Sequence, residues 1–129
     1  VLTETDDAAE VIAVSARYVG RMIVADKLWR WVLKHSGVPV EELRLAVGNY
    51  IDRDFRQGLA TGRFSANEPY AIAAYTFGGY VNCILGALDQ ADPEKRIDNG
   101  VELTLRVFGL DLDEARKLAH QPLPALEPN

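Results

Sequence analysis

Asp54 is the residue whose chemistry is least explained by its position in the sequence. It falls one turn after Tyr50, within the apolar stripe of a predicted helix. Because a buried carboxylate is costly unless it is paired or hydrogen-bonded, Asp54 needs a partner. One alternative is a structural ion pair with Arg17, Arg21 or Arg53. The other is that Asp54 is a polar anchor inside a ligand cavity.

Two predicted helices could place further polar groups around such a ligand. The third helix is expected to direct Tyr50 and Asp54 inward, and the fourth to direct Thr76, Tyr80 and Cys83 toward them. Two phenols, one carboxylate and one hydroxyl in an apolar chamber suit a small, mainly apolar ligand. The competing hypothesis is that these aromatic side chains fill the core and that Cys83 is an inert buried thiol. The predicted ligand-binding residues are therefore Tyr50, Asp54, Thr76, Tyr80 and Cys83.

Signals for an enzyme or a metal site are absent from the sequence. The two histidines, His35 and His120, belong to no Glu-x-x-His or His-x-x-x-His pair, which argues against zinc and di-iron carboxylate centres. No Gly-x-Ser-x-Gly elbow or Walker loop occurs. We predict a protein that is not an enzyme, with no metal and no cofactor.

The composition indicates one globular domain spanning residues 1–129. The chain is 48% apolar and 26% charged, and its net charge of −5 argues against nucleic-acid binding by this segment alone. Cys83 is the only cysteine, which excludes an intrachain disulfide and favours a cytoplasmic location. No run of apolar residues approaches the roughly 18 that a membrane span requires, so no membrane association is expected.

Apolar residues recur every three or four positions along most of the chain, which predicts an all-α bundle of five or six helices. A capping box at residues 65–68 before Pro69 marks the start of the fourth helix, and Asp92 followed by Pro93 marks the start of the fifth. The predicted segments are 5–24, 26–35, 40–61, 65–90, 92–109 and 111–121.

The fourth helix is apolar on all sides, so it must be covered on all sides. Small residues such as Gly78 would let a second helix backbone approach closely. One explanation is a homodimer formed through the last two long helices, and the alternative is a central helix surrounded by its own chain. The predicted interface residues are Ala74, Gly78, Asn82, Leu85, Val101, Leu105 and Phe108.

Several of these features together resemble the C-terminal ligand-binding and dimerisation domain of TetR-family transcriptional regulators. The similarity rests on residues 57–64 (QGLATGRF), the glycine-containing apolar helix after them, residues 105–110 (LRVFGL) and residues 114–119 (EARKLA). The resemblance covers most of the chain, from about residue 5 to residue 126.

The resemblance implies an all-helical homodimer that binds a small ligand and thereby repositions two DNA-binding domains. No recognition helix is found in the chain, so DNA binding is expected only through an N-terminal helix-turn-helix that is missing here. The alternative hypothesis is a freestanding α-helical enzyme or carrier for a small apolar molecule. Sequence upstream of Val1 would discriminate between the two.

Overall fold

A computed structural model describes residues 5–37 and 40–125, which form seven α-helices and, within those ranges, no strand. The predicted all-α class is confirmed. Residues 1–4, 38–39 and 126–129, which include part of the predicted stop after the second helix and the end of the tail, lie outside the described residues. The helices are α1 (Ala8–Ala25), α2 (Lys27–His35), α3 (Val40–Leu43), α4 (Asn49–Ala60), α5 (Pro69–Ala87), α6 (Pro93–Val107) and α7 (Leu112–His120).

Acidic side chains cap most of these helices at their first turn. Asp26, Asp92 and Asp111 each accept a hydrogen bond from the backbone N–H three residues later, at 2.9, 3.2 and 2.8 Å. Proline occupies the first turn of α5 and of α6, as the sequence predicts. The N-cap of α5 is Glu68, however, and not Ser65, whose backbone N–H instead donates to the carbonyl of Phe108 at 3.0 Å.

The predicted third helix is divided into two by a π-helical turn at Arg44–Gly48. The apolar periodicity continues through this turn, so the sequence pattern gives no sign of it. A π turn inserts an extra residue into the helix and rotates the later turns relative to the earlier ones. The division also raises the number of helices from the predicted five or six to seven.

Helix α6 lies at the centre of the packing and contacts α1, α5 and α7. Three phenylalanine rings close one end of this core: Phe55 lies 4.4 Å from Phe108 and 5.9 Å from Phe64, measured between ring centroids. Gly58 is required beside them, because a Cβ at that position would lie 2.1 Å from the Phe64 ring. Helix α4 packs against α1, whereas the most extensive contacts of α5 are with α6.

A buried ion cluster fastens α1 to α6. The carboxylate of Asp98 accepts hydrogen bonds from Arg17 Nε at 3.0 Å and from Arg21 Nη1 at 2.6 Å. Arg17 is 4% exposed, and its Nη1 also donates to the carbonyl of Gln121 at 2.7 Å. Burial opposes ionisation of Asp98, but the hydrogen bonds from Arg21 and Arg17 outweigh it and lower the pKa of this carboxyl.

Acid should destabilise the fold through this cluster. The folded pKa of Asp98 lies below its value in the unfolded chain, so the stabilisation is complete above about pH 4 and is lost as the pH falls through the folded pKa. Asp7, whose pKa is lowered mainly by its hydrogen bond from Arg63, contributes in the same direction. Denaturant unfolding measured from neutral to acidic pH should show a falling free energy of unfolding, with a shallower fall in Asp98→Asn. A free energy that stays constant or rises on acidification would be incompatible with this cluster.

Candidate functional site

A cavity of about 450 Å³ lies between α1, α2, α3 and α4, and is called the first cavity. Apolar side chains from all four helices form most of its wall, and the polar groups come from Ser15 of α1 and from α4. The volume falls within the range of small-molecule sites in proteins. Its lining residues are Val11, Ser15, Ala16, Val19, Met22, Ile23, Trp29, Leu43, Tyr50, Ile51, Arg53 and Asp54.

Asp54 presents a carboxylate to this cavity. Its side chain is only 12% exposed, and Oδ1 accepts a hydrogen bond from Arg53 Nε at 3.3 Å. Arg53 is therefore the ion-pair partner, while Arg17 and Arg21, the other two candidates, are engaged by Asp98. Among the described residues, no hydrogen bond reaches Oδ2 of Asp54. That oxygen can accept a hydrogen bond from a bound molecule.

Tyr50 lies at the rim of the first cavity rather than in its interior. Tyr50 is 61% exposed, and the Arg53 guanidinium stands 5.6 Å from the centre of its ring, a cation–π distance. Met22 of α1 is also more than half exposed and lines the same cavity. These three side chains border the solvent side of the cavity.

A second cavity of about 260 Å³ lies between α4 and α5. Ile51 lines both cavities and separates them, and Phe77 borders the second one from α5. The lining residues of the second cavity are Arg44, Gly48, Ile51, Asp52, Phe55, Arg56, Tyr70, Ala73, Ala74, Thr76, Phe77 and Phe108.

Tyr80 is buried between the helices and is already hydrogen-bonded. Its hydroxyl donates to the carbonyl of Ala16, and burial raises the pKa of this phenol, which keeps it protonated. Gly20 makes room for it, because a Cβ there would lie 2.6 Å from the hydroxyl oxygen. Two voids of about 10 and 20 Å³ adjoin the Tyr80 ring, and Phe77 lines both. These two voids are too small for a ligand.

Thr76 and Cys83 also lie apart from Asp54. Thr76 lines the second cavity, and its hydroxyl donates to the Ile72 carbonyl at 2.8 Å within α5. Cys83 faces α6, where a Cβ on Gly100 would come within 3.0 Å of its sulfur, and burial raises the pKa of its thiol.

The five predicted ligand-binding residues therefore do not surround one chamber. Tyr50 and Asp54 belong to the first cavity and Thr76 to the second, while Tyr80 and Cys83 pack around α5. The three residues of α5 also line a solvent-open groove between α5 and α6. None of these cavities is bounded by both Tyr50 and Tyr80, because Ile51 and Phe77 lie between the two side chains, so a common site for the five residues stays a prediction.

One surface, called the uncovered face, carries apolar and small residues from α5 and α6. A groove of about 840 Å³ runs along it. Leu103 is 55% exposed and Val107 is 37% exposed, and Gly78 has no atom within 4 Å of its ideal Cβ position. The face comprises Ala74, Tyr75, Gly78, Asn82, Leu103 and Val107, each of them exposed.

The predicted interface residues divide according to helix. On α5, Ala74, Gly78 and Asn82 lie on the uncovered face, and Leu85 is half-buried against the core. On α6, Val101, Leu105 and Phe108 are 1%, 0% and 0% exposed within the chain itself. Side chains covered in the single chain offer little surface to a partner, and the apolar side chains of α6 that face solvent are Leu103 and Val107.

Sequence reasoning missed the two groups that define the first cavity beside Asp54. Ser15 and Met22 line it from α1. Their positions between buried residues of α1 were the feature of the sequence that could have indicated this. It also missed Asp98 as the partner of Arg17 and Arg21, although those arginines stand four residues apart on one helix face.

Within the described ranges, no three His, Cys, Asp or Glu side chains come together as possible metal ligands. None of the helices described is long and apolar enough to cross a membrane.

Comparison with known proteins adds an independent observation. A family profile described as "Tetracyclin repressor-like, C-terminal domain" matches residues 7–121. The crystal structure of RolR in complex with the ligand resorcinol has 33% sequence identity and a TM-score of 0.85, with 98% of this chain and 63% of that chain covered. RolR without ligand has 32% identity and a TM-score of 0.83, with 98% and 65% covered. This chain thus spans less than two thirds of the length of RolR. Among curated proteins, no significant match is found.

Proposed function

Because this chain belongs to the family of tetracyclin repressor-like C-terminal domains, we propose that it is the small-molecule-sensing and homodimerisation domain of a transcriptional regulator. Regulators of this family are generally homodimers without enzymatic activity that bind a small ligand and DNA. DNA binding would come from a helix-turn-helix domain outside these residues. The match with RolR covers 63% of the RolR chain, so RolR contains further residues that this chain does not match. We place the regulator in the cytoplasm, which is typical of the family.

The observation that carries the ligand-sensing proposal is the carboxylate of Asp54 on the wall of the first cavity. A largely buried carboxylate, one oxygen of which accepts no hydrogen bond from the described residues, is a strong acceptor for a ligand hydroxyl or cation. The rest of the wall is mainly apolar and includes Trp29 and Ile51, which suit a flat ring. The cavity therefore favours an aromatic ligand that carries a hydrogen-bond donor.

RolR supports a more specific ligand class. Its crystal structure contains resorcinol, a benzene ring with two hydroxyl groups, and 98% of this chain superimposes on that protein. We propose that this chain binds a hydroxylated aromatic compound, with one hydroxyl donating to Asp54. The hydroxyl of Ser15 lines the same cavity and is available to the second polar group.

Replacing Asp54 with asparagine should weaken binding of such a ligand about tenfold or more, because a hydrogen bond to a charged acceptor is lost while the shape is kept. The melting temperature should stay near that of the unmodified chain, since Arg53, the one ion-pair partner of Asp54 among the residues that the structure describes, is 69% exposed. Calorimetric titration with resorcinol and thermal unfolding would measure the two effects.

Asp52→Asn is the matched control, because Asp52 lies on the same helix but lines the second cavity and pairs with Arg56. It should bind resorcinol as the unmodified chain does. If Asp54→Asn melts at a lower temperature and binds with unchanged affinity, Asp54 is a structural ion-pair partner and the proposed anchor is refuted.

The uncovered face supports the dimerisation proposal. Monomeric proteins seldom expose a large contiguous apolar patch, and here Leu103, Val107 and Tyr75 stand beside glycines that allow close backbone approach. Two copies related by a two-fold axis would pack α5 and α6 against their counterparts as a four-helix interface. Ala74, Gly78 and Asn82 would lie at its centre.

A further inference from the structure

The second cavity combines an apolar interior with arginine side chains at its mouth. Its interior wall is formed by Ile51, Phe55, Ala73 and Phe77. Arg44 and Arg56 also line it, and both side chains are more than half exposed, so their guanidinium groups meet solvent. A molecule that enters from solvent would pass two arginines and one aspartate and reach an apolar space.

Neither arginine is committed to a strong partner. Arg56 Nε pairs with Asp52 at 2.8 Å, and among the residues described its two Nη groups have no hydrogen-bond partner. Arg44 Nη1 lies 3.5 Å from Glu41, and the Arg44 guanidinium is held 5.6 Å from the centre of the Phe77 ring. Such exposed ion pairs are weak. Both guanidinium groups therefore retain donors for an anion.

The charged groups of this cavity differ from those of the first, which is lined by one arginine and one aspartate. In the first cavity the least exposed charged group is the Asp54 carboxylate, whereas the second has two arginines and one aspartate in its lining. Ile51 separates the two spaces. A ligand with a negative charge would be repelled by Asp54 but attracted by Arg44 and Arg56.

We propose that the second cavity is a separate binding site for an anionic aromatic compound, of the aromatic carboxylate class. The ring would lie against Ile51 and Phe77, and the carboxylate would accept hydrogen bonds from Arg56 Nη and from Arg44 at the rim. The cavity volume of about 260 Å³ accommodates one substituted ring. This site does not depend on whether the first cavity binds a hydroxylated ring.

Titration of the full chain with benzoate and with benzamide, followed by amide NMR shifts, tests the site. Benzamide has the same shape without the negative charge. Benzoate should shift the amides of α4 and α5 around Phe55 and Phe77, which do not line the first cavity, and should bind at least about threefold more tightly than benzamide.

The double variant Arg44→Gln, Arg56→Gln should remove the preference for benzoate without changing the melting temperature. Arg53→Gln is the matched control on the first cavity and should leave benzoate binding unchanged. Ala73→Leu should block both probes by filling the space, and Asp52→Asn should strengthen benzoate binding because a competing carboxylate is removed.

Equal affinity for the two probes, no saturable benzoate binding, or loss of binding in Arg53→Gln alone would overturn the proposal. The parallel titration of Asp54→Asn with resorcinol reports on the first cavity. Failure of one site can thus be distinguished from failure of the other.

Discussion

Replacing Asp98 with asparagine should lower the free energy of unfolding by about 3–5 kcal/mol, because two arginines would lose their shared counter-charge. Arg17 cannot reach water to compensate, since its side chain is only 4% exposed. For a domain whose total stability is about 5–15 kcal/mol, this is a large fraction. Denaturant unfolding at neutral pH, followed by circular dichroism, would measure it.

Asp89→Asn provides the control for this variant. Asp89 also pairs with a cation, Lys34 Nζ at 2.6 Å, but its side chain is 70% exposed. Solvent screening makes such a pair weak, so this variant should unfold nearly as the unmodified chain does. If both substitutions lower the free energy of unfolding by the same amount, the buried cluster does not hold α1 to α6 as described.

A bulky residue on the uncovered face should separate the proposed dimer. Gly78→Trp places a large side chain where two helices would meet, and overpacking costs about 1–3 kcal/mol at each of two symmetric positions. The dissociation constant should therefore rise at least about thirtyfold. Sedimentation equilibrium would show the shift from dimer toward the 14.3 kDa chain.

The single chain should tolerate this change, since no atom lies within 4 Å of the Gly78 Cβ position. Lys117→Trp, on the exposed side of α7, is the matched control and should leave the association state unchanged. An unchanged dimer in Gly78→Trp would show that the interface lies elsewhere. A monomeric unmodified chain would refute the dimerisation proposal altogether.

The sequence predicted the fold where local chemistry decides it. Asp92 with Pro93, and Asp111, mark helix starts because a side-chain acceptor and a fixed φ act within one turn. The π turn at Arg44–Gly48 was not predictable, because it changes the hydrogen-bond register without interrupting the apolar pattern.

The outward face of α6 could not be assigned from its pattern. Val101 and Leu105 on one side and Leu103 and Val107 on the other are all apolar, so periodicity identifies two apolar surfaces without showing which one α1 and α7 cover. On α5 the small residues made the distinction possible, because Gly78 and Ala74 favour close helix approach over core filling.

One part of the candidate site could be predicted from the sequence, and another part could not. Asp54 was identifiable, since a carboxylate in an apolar stripe needs an explanation, and the structure places it in a cavity wall. The shape of the cavity was not identifiable. It depends on where Ile51 and Phe77 pack between α4 and α5, which is a property of the three-dimensional structure and not of the spacing in the sequence.

The most direct test is a crystal structure of the chain with a bound hydroxylated aromatic compound. The account predicts the ring in the first cavity, with one hydroxyl donating to the Asp54 carboxylate, in a two-fold dimer that buries Gly78 and Leu103. A ring bound away from Asp54, or a chain whose α5 and α6 face remains open to solvent, would contradict it.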